Sequence, residues 1–448
     1  MNPSRILVVL LILGGLTGAL TGGPSFYSHI LYLGLLLSIG AGLWIFFVAR
    51  SLHVERFSDA RRGSVGDVFK ERFDILNGSR LPALWIEIRN ATPISASGSR
   101  LLTMLRAHQK QSYAVRMWLT RRGSFPLGPT IVTISDPIGL FRIEKRLEAS
   151  KSVTVLPMVF PIENFLSPPG LLPGGRVIRR KSTDITPHAS GVREYNFGDP
   201  MKRIHWPTTI RRGQLMVKEF DQDPQAEVWL FLDGQQGAQA SRYHDEIPEL
   251  PVEDLLFTRR PKFSLPPSTL EYGVTITASL AHYFIRQKRS VGFVVADRTY
   301  TMIPAEHNER QENKILETLA FLEGKGNLSI AALVEAQARN LPSGSSVILI
   351  TPSVRDELLI AVDTIQLRNL QPVVILLNAA SFGGPKAGPG GDALHPSRTS
   401  PHLAAQFIER GVPVCLVDCD ADLAKTFYNF SSGYVTQEMV DSKKMTSL

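Results

Sequence analysis

The stretch richest in groups that could do chemistry runs from Gly191 to Phe220, GVREYNFGDPMKRIHWPTTIRRGQLMVKEF. Arg193, Lys202, Arg203, Arg211, Arg212 and Lys218 crowd around Glu194, Asp199 and Glu219, with Tyr195, His205 and Trp206 between them. Planar guanidinium forks bind two oxygens at once, so such a cluster suits a carboxylate or a phosphate. In one reading Arg193, Arg203, His205 and Arg211 converge on an anion, Tyr195 and Trp206 wall the pocket, and His205 moves a proton with Asp199 or Glu219. In the other, Asp199 and Glu219 neutralise the arginines, Trp206 packs into a core, and the segment is a polar clamp joining two domains. Residue types alone leave both open.

The local pattern gives the stretch a shape. Asp199 before Pro200 reads as a helix start, with the carboxylate accepting from free backbone N–H groups and proline at the first helical position. A short helix over Pro200–Ile204 would put Arg203 one turn from Asp199. Gly213 suits a turn, and Leu215–Phe220 alternates as a strand does.

The elements that must position this stretch are spread over 448 residues, enough for two folded units and their connections. The N-terminus is apolar and uncharged from Ile6 to Leu20 and again from Ile30 to Val48, with a TGGPS turn between. Two such runs in quick succession predict a transmembrane helical hairpin over 1–50, in preference to a signal peptide started by Arg5. Arg5 precedes the first run and Arg50, Arg56, Arg61 and Arg62 follow the second, which predicts that both ends and all soluble parts are cytoplasmic. The formal net charge of +8 implies an anionic partner. Its basic residues are spread along the chain and gathered beside the hydrophobic runs, so the expected anionic surface is the lipid bilayer, and no nucleic acid is expected. Cys415 and Cys419, four apart in an apolar strand, would stand about 13 Å from each other and make neither a disulfide nor a metal pair.

From 51 to 160 the period is two. Phe69, Phe73 and Ile75 alternate with charged residues; Leu84, Ile86 and Ile88 bracket Trp85 and Glu87; Tyr113, Val115, Met117 and Leu119 form a third run. Turn signals fall at Asn77-Gly78, Arg122-Gly123, Gly128-Pro129 and Asp136-Pro137, so an antiparallel β-sandwich is expected. Pro161–Gly175 reads as a linker or extended crossing segment, and 161–226 as linker plus the opening stretch. From 227 to 430 unalternated apolar runs (Val228–Asp233, Val291–Ala296, Val347–Ile350, Val373–Leu377, Val414–Val417) alternate with helical patterns near Tyr272–Gln287, Glu309–Leu322, Ser329–Asn340, Asp356–Arg368 and Pro401–Arg410. This predicts a doubly wound α/β domain with a parallel sheet covered on both faces. Two long insertions, 235–268 and 381–400, interrupt it, and 431–448 is a tail.

The opening stretch resembles the signature of the bacterial "domain of unknown function fifty-eight" family, an Arg-x-Tyr-x-x-Gly-Asp core leading to Arg-x-Ile-x-Trp and a Leu-x-Val-Lys/Arg-Glu strand. The matching positions are Arg193, Tyr195, Gly198, Asp199, Arg203, Ile204, Trp206, Arg211, Leu215, Val217, Lys218 and Glu219. Arg122–Pro129, Asp136–Phe141 and Val153–Pro157 resemble the family's upstream turns and strand. The resemblance implies a von Willebrand factor A-like domain on a membrane anchor, working with a MoxR-type AAA+ ATPase and a transglutaminase-like membrane protein. It carries over no enzymatic activity, and the function expected is a non-enzymatic protein-interaction module. The alternative is a hydrolase or transferase acting on an anionic substrate through Arg193, Arg203, His205 and Arg211.

A von Willebrand A fold often holds Mg²⁺ on an Asp-x-Ser-x-Ser loop, because hard oxygens suit that ion. Asp233-Gly234-Gln235-Gln236-Gly237 keeps the aspartate without the hydroxyls, and Thr351-Pro352-Ser353 lacks the second carboxylate. The sequence therefore predicts no cofactor and no conventional metal site, with Asp233 capping backbone amides of its own loop.

Overall fold

The computed structural model describes residues 3–58, 62–92, 96–97, 100–148, 151–166, 189–195, 204–220, 227–242, 264–383 and 399–432. They divide into two units. One holds residues 3–158 with a short return over Leu316–Leu322; the other holds Val159–Arg242, Pro266–Ile315 and the chain from Glu323.

The first unit starts with two helices, α1 (Pro3–Leu20) and α2 (Ser25–Ser51), both long and apolar enough to cross a membrane. They pack closely because Gly15 has no side chain; a Cβ there would stand 2.6 Å from the backbone nitrogen of Leu31. The second helix also packs on the domain that follows it. Its last turns carry Ile45, Val48 and Ala49, buried against Ile75, Ala83, Ile86, Ile88 and Val132 of the following β domain. An apolar run that serves first as a span and then as a core plug gives one unbroken hydropathy signal, so the sequence does not mark where one role ends.

The β domain comprises β1 (Leu52–Ser58), β2 (Arg62–Ser64), β3 (Val68–Asn77), β4 (Ala83–Asn90), β5 (Ala96–Ser97), β6 (Arg100–Leu105), β7 (Lys110–Trp118), β8 (Gly123–Pro126), β9 (Thr130–Ser135), β10 (Arg142–Leu147) and β11 (Ser152–Leu156). Two four-stranded antiparallel sheets, β1-β3-β7-β5 and β10-β9-β4-β6, carry most of it. The third sheet, β2-β11-β8, departs from the expected antiparallel pattern, since β11 runs parallel to β2. Alternation does what it predicts: Phe69, Phe73, Ile86, Ile88, Val115 and Met117 are buried. Glu71 is buried with them, and Arg56 meets it in a two-pronged ion pair at 2.6 and 2.9 Å while lying over the ring of Phe73.

The second unit contains β12 (Ala189–Glu194), α3 (Trp206–Arg212), β13 (Met216–Phe220), β14 (Val228–Leu232), α4 (Thr269–Arg286), β15 (Val291–Ala296) and β16 (Tyr300–Glu306). After α5 (Glu309–Ala320), it resumes with α6 (Ile330–Gln337), β17 (Ser346–Thr351), α7 (Glu357–Leu367), β18 (Gln371–Leu377), α8 (Ser400–Glu409) and β19 (Val414–Val417). The large sheet runs β16-β15-β14-β17-β18-β19. Five of these strands are parallel, and β16 pairs antiparallel with β15. Sequence periodicity gives no strand at β16, because Tyr300 and Met302 stay exposed and Pro304 interrupts the run. Leu232, Ile350 and Leu377 face α4, while Phe231, Leu349 and Leu376 join residues of α6, α7 and α8 in the opposite core, so helices cover both faces.

The segment read as a linker starts as an anchor. Phe160 and Phe165 donate their backbone N–H groups to Ser279 Oγ and Tyr283 OH at 3.0 and 3.1 Å. Their rings pack against Phe427, and Phe165 also meets Phe284 and Phe430. Residues 167–188 lie outside the described set, as do 243–263 and 384–398 of the insertions and the tail from 433. Both cysteines are free, and burial pushes the Cys415 thiol up to about 12. Cys419 lies beyond the end of β19 and is only half-buried, outside the strand expected to hold both.

Candidate functional site

The opening stretch folds as a two-stranded ribbon with a helix between its strands. Strands β12 and β13 pair antiparallel, placing Arg193 opposite Val217, Val192 opposite Lys218 and Gly191 opposite Glu219. Tyr195 N–H donates to Leu215 O at 2.9 Å and His205 N–H to Met216 O at 2.7 Å, extending the pairing past the strand ends. Ile204, Met216 and Val217 are the buried side chains that hold the ribbon in place.

Residues 200–203 of the expected short helix lie outside the described residues, and the helix that is described was not foreseen. Ile204 pairs with Val217 as a β-bridge, and α3 begins at Trp206, with Pro207 in its first turn. Both Asp199-Pro200 and His205-Trp206-Pro207 have proline where a helix tolerates it, and the second is the start seen among the described residues. His205 is the cap: its Nδ1 accepts from Thr208 N–H at 3.3 Å and from the Thr208 hydroxyl at 2.7 Å. Both contacts use Nδ1 as acceptor, so the neutral ring carries its proton on Nε2. The helix ends at Gly213, whose φ of 67° is the left-handed conformation glycine adopts without strain, and its N–H closes on Thr209 O. The turn at Gly213 and the strand after it agree with the sequence. Thr209 Oγ1 then accepts from Met216 N–H at 3.0 Å, tying the helix to β13.

Of the four basic groups in the proposed pocket, the side chains of His205 and Arg211 are described. His205 caps one end of α3 and Arg211 sits in the last turn, about 9 Å apart along the axis at 1.5 Å per residue. Tyr195 is half-buried beside Leu215. Trp206, expected in a core or a pocket wall, is 60% exposed, and Ile210 one turn on is 80% exposed. The helix thus turns an indole and an isoleucine outward from one face. Gly198, Asp199 and Arg203 lie outside the described residues, as do the side chains of Arg193, Lys218 and Glu219.

A second constellation lies at the carboxyl ends of β14 and β17, where the sheet order reverses and open α/β folds place ligands. Asp233 is buried there. Its Oδ2 accepts the Thr351 hydroxyl at 2.6 Å and its Oδ1 accepts Gln235 N–H at 3.0 Å, the amide cap expected of it. Thr351 Oγ1 accepts from Ser353 N–H at 2.9 Å, and Gln239 Nε2 donates to Asp233 O at 2.7 Å. Burial pushes the Asp233 carboxyl up to about 6, against the lowering effect of Thr351, Gln235 and the nearby Arg355 charge. Sequence reasoning missed Thr351 as the partner of Asp233. The signal was a hydroxyl residue ending the adjacent parallel strand at the same level as the aspartate. Among the described residues no group of three or more His, Cys, Asp or Glu side chains could hold a metal ion.

Against known families, a model described as "Protein of unknown function DUF58" matches residues 191–246, the ribbon, α3 and the start of the Asp233 loop. This segment of the chain is similar to the DUF58 family. A relative of this chain, "Uncharacterized protein YeaD" of Bacillus subtilis (strain 168), is 21% identical over 327 residues, covering 70% of this chain and 74% of that one. Among solved structures, the conserved hypothetical protein BatB from Bacteroides thetaiotaomicron shares 15% identity and a TM-score of 0.30, covering 49% of this chain and 99% of that one. An aerotolerance-related membrane protein from Bacteroides fragilis shares 14% identity and the same TM-score of 0.30, covering 46% and 99%. At those scores the two structures add nothing to the fold described above.

Proposed function

We propose that this chain is a membrane-anchored, non-enzymatic interaction module whose signature helix docks a MoxR-type AAA+ ATPase on the cytoplasmic side. The observation that carries the reading is the outward face of α3, where Trp206, a signature position, and Ile210 one turn on stand exposed within the segment that the family model matches. A large aromatic ring and a branched aliphatic side by side are what the buried centre of a protein interface uses. Arg211 and Arg212 follow at once, a basic rim suited to an acidic partner surface. The two apolar helices supply the anchor, and the basic residues after α2 support a cytoplasmic placement. The strand order of the large sheet, with helices on both faces, is compatible with a von Willebrand A-like domain.

The rival reading, an enzyme acting on an anion, asks the basic groups to converge. His205 and Arg211 stand at opposite ends of one helix, and His205 Nδ1 is engaged as a cap.

The test is crosslinking from position 210 in native membranes followed by identification of the adduct. The reading predicts an AAA+ ATPase that is lost in Ile210→Asp. Recovery of no ATPase, or of the same amount from the variant, would overturn it.

A further inference from the structure

The Asp136–Phe141 turn, which the functional reading leaves unused, lies inside the first unit and touches both helices. Asp136 is buried and shapes the turn, accepting Ile138 N–H at 3.0 Å and Phe141 N–H at 2.6 Å. Leu140 is thereby pressed between Val8 and Ala41, with Ile12 packed against the cluster. Arg5 Nε donates to Leu140 O at 2.6 Å, and the Phe141 ring lies 3.9 Å from where a Cβ on Gly42 would be.

The level of this contact along the hairpin is decisive. Ala41 is 16 residues from Ser25, about 24 Å along α2, and Val8 is 12 residues from Leu20, about 18 Å along α1. A bilayer's hydrocarbon is about 30 Å thick, and about 40–45 Å with headgroups. A hairpin that crosses it therefore carries the contact to within about 6–12 Å of the near hydrocarbon edge, which places the turn and the side chains beside it close to the bilayer boundary.

Those side chains are built for that boundary. On the outer face of β10-β9-β4-β6, Trp85 and Arg142 both flank Ser135 in register, and Leu102 lies opposite Glu87. Trp85, Leu102, Met104, Ile138 and Phe141 are all exposed. Trp85, Leu102 and Ile138 line an open cleft of about 300 Å³ with Arg142 at its edge. Glu87 holds Arg100 at 2.7 Å and Arg142 at 3.4 Å, so the shelf is bordered by guanidinium groups. An indole among aliphatics with arginine alongside is the composition of a membrane–water interface.

We propose that this face is a lipid-binding shelf: Trp85, Leu102, Met104, Ile138 and Phe141 rest in the headgroup region of the bilayer and fix the β domain against it. The proposal rests on the membrane-anchored reading and adds a second attachment to the same membrane.

The test uses the full chain with Cys415→Ser and Cys419→Ser, reconstituted in phospholipid nanodiscs and spin-labelled in turn at Ile138→Cys, Met104→Cys, Leu36→Cys and Arg146→Cys. Access to oxygen relative to a water-soluble nickel chelate reads depth. The shelf predicts a ratio at positions 138 and 104 several-fold above that at Arg146 and below that at the mid-span Leu36. If position 36 reads as lipid-facing while 138 and 104 match Arg146, the shelf is overturned and the anchor stands. If position 36 is itself water-accessible, the anchor falls and the shelf with it. An immobilised label at 138 with neither oxygen nor nickel access would show a protein covering the face, and that too overturns the shelf.

Discussion

Each unit buries a carboxylate and turns apolar side chains outward, but each does so in different company. In the sandwich, Glu71 meets the full countercharge of Arg56, and the outward Trp85, Leu102 and Ile138 continue an apolar surface that starts on the helices. In the α/β unit, Asp233 meets a hydroxyl and an amide, with no ion pair among the described residues, and the outward Trp206 and Ile210 run directly into Arg211 and Arg212. The same residue types therefore mean different things. On the proposals above, the exposed tryptophan in line with the hairpin is assigned to lipid and the one on the short capped helix with a basic end to a protein partner. The Glu71 carboxylate is matched by a cation, whereas burial against a hydroxyl and an amide raises the Asp233 carboxyl to about 6.

The comparison is tested most severely inside the sandwich. Glu71→Ala leaves the Arg56 guanidinium partly buried without its partner and is expected to cost about 3–5 kcal/mol, read by denaturant unfolding of the detergent-solubilised chain. A loss under about 1 kcal/mol would mean that this pair is not matched as described. Next in size is Leu140→Ala, which empties a site between the turn and both helices and should cost about 2–4 kcal/mol while freeing the turn to proteolysis. An unchanged proteolytic pattern would detach the shelf from the hairpin.

The carboxylate contrast is read through pH. The Asp233 carboxyl is raised from 3.8 to about 6 in the folded chain, so the fold favours its protonated form. That stabilisation is complete below about pH 4 and fades as pH rises through 6, a change of about 2–3 kcal/mol from a shift of this size. Asp233→Asn removes it, so the wild type should lose stability relative to the variant between pH 4 and 7. A constant difference across that range would show the carboxyl to be unperturbed. The smallest stability effect is expected at the surface. Ile210→Asp on the exposed face of α3 should change stability by no more than about 0.5 kcal/mol while abolishing partner capture.

Much of this architecture was legible in the residues. Alternation marked β3, β4 and β7, continuous apolar runs marked β14, β15, β17, β18 and β19, and Gly213 marked the turn into β13. Other features depended on contacts that no local pattern records. Strand β16 was hidden because an edge strand pairing on one side leaves Tyr300 and Met302 in solvent. The plug at the end of α2 looked like more membrane span, since lipid and a protein core select the same side chains. Helix α3 went unread because another proline-led start, at Pro200, lies seven residues before its own at Pro207 and drew the reading. The exposure of Trp206 ran against the ordinary expectation that a tryptophan in a charged segment packs inward.

One measurement sets the two outward faces against each other: a photo-crosslinking residue placed in turn at Ile210 and at Ile138 of the full chain in native membranes, with adducts identified by mass spectrometry. The account predicts a protein adduct that includes an AAA+ ATPase at position 210 and lipid adducts at position 138. The same protein at both positions, or no protein at 210, would contradict it.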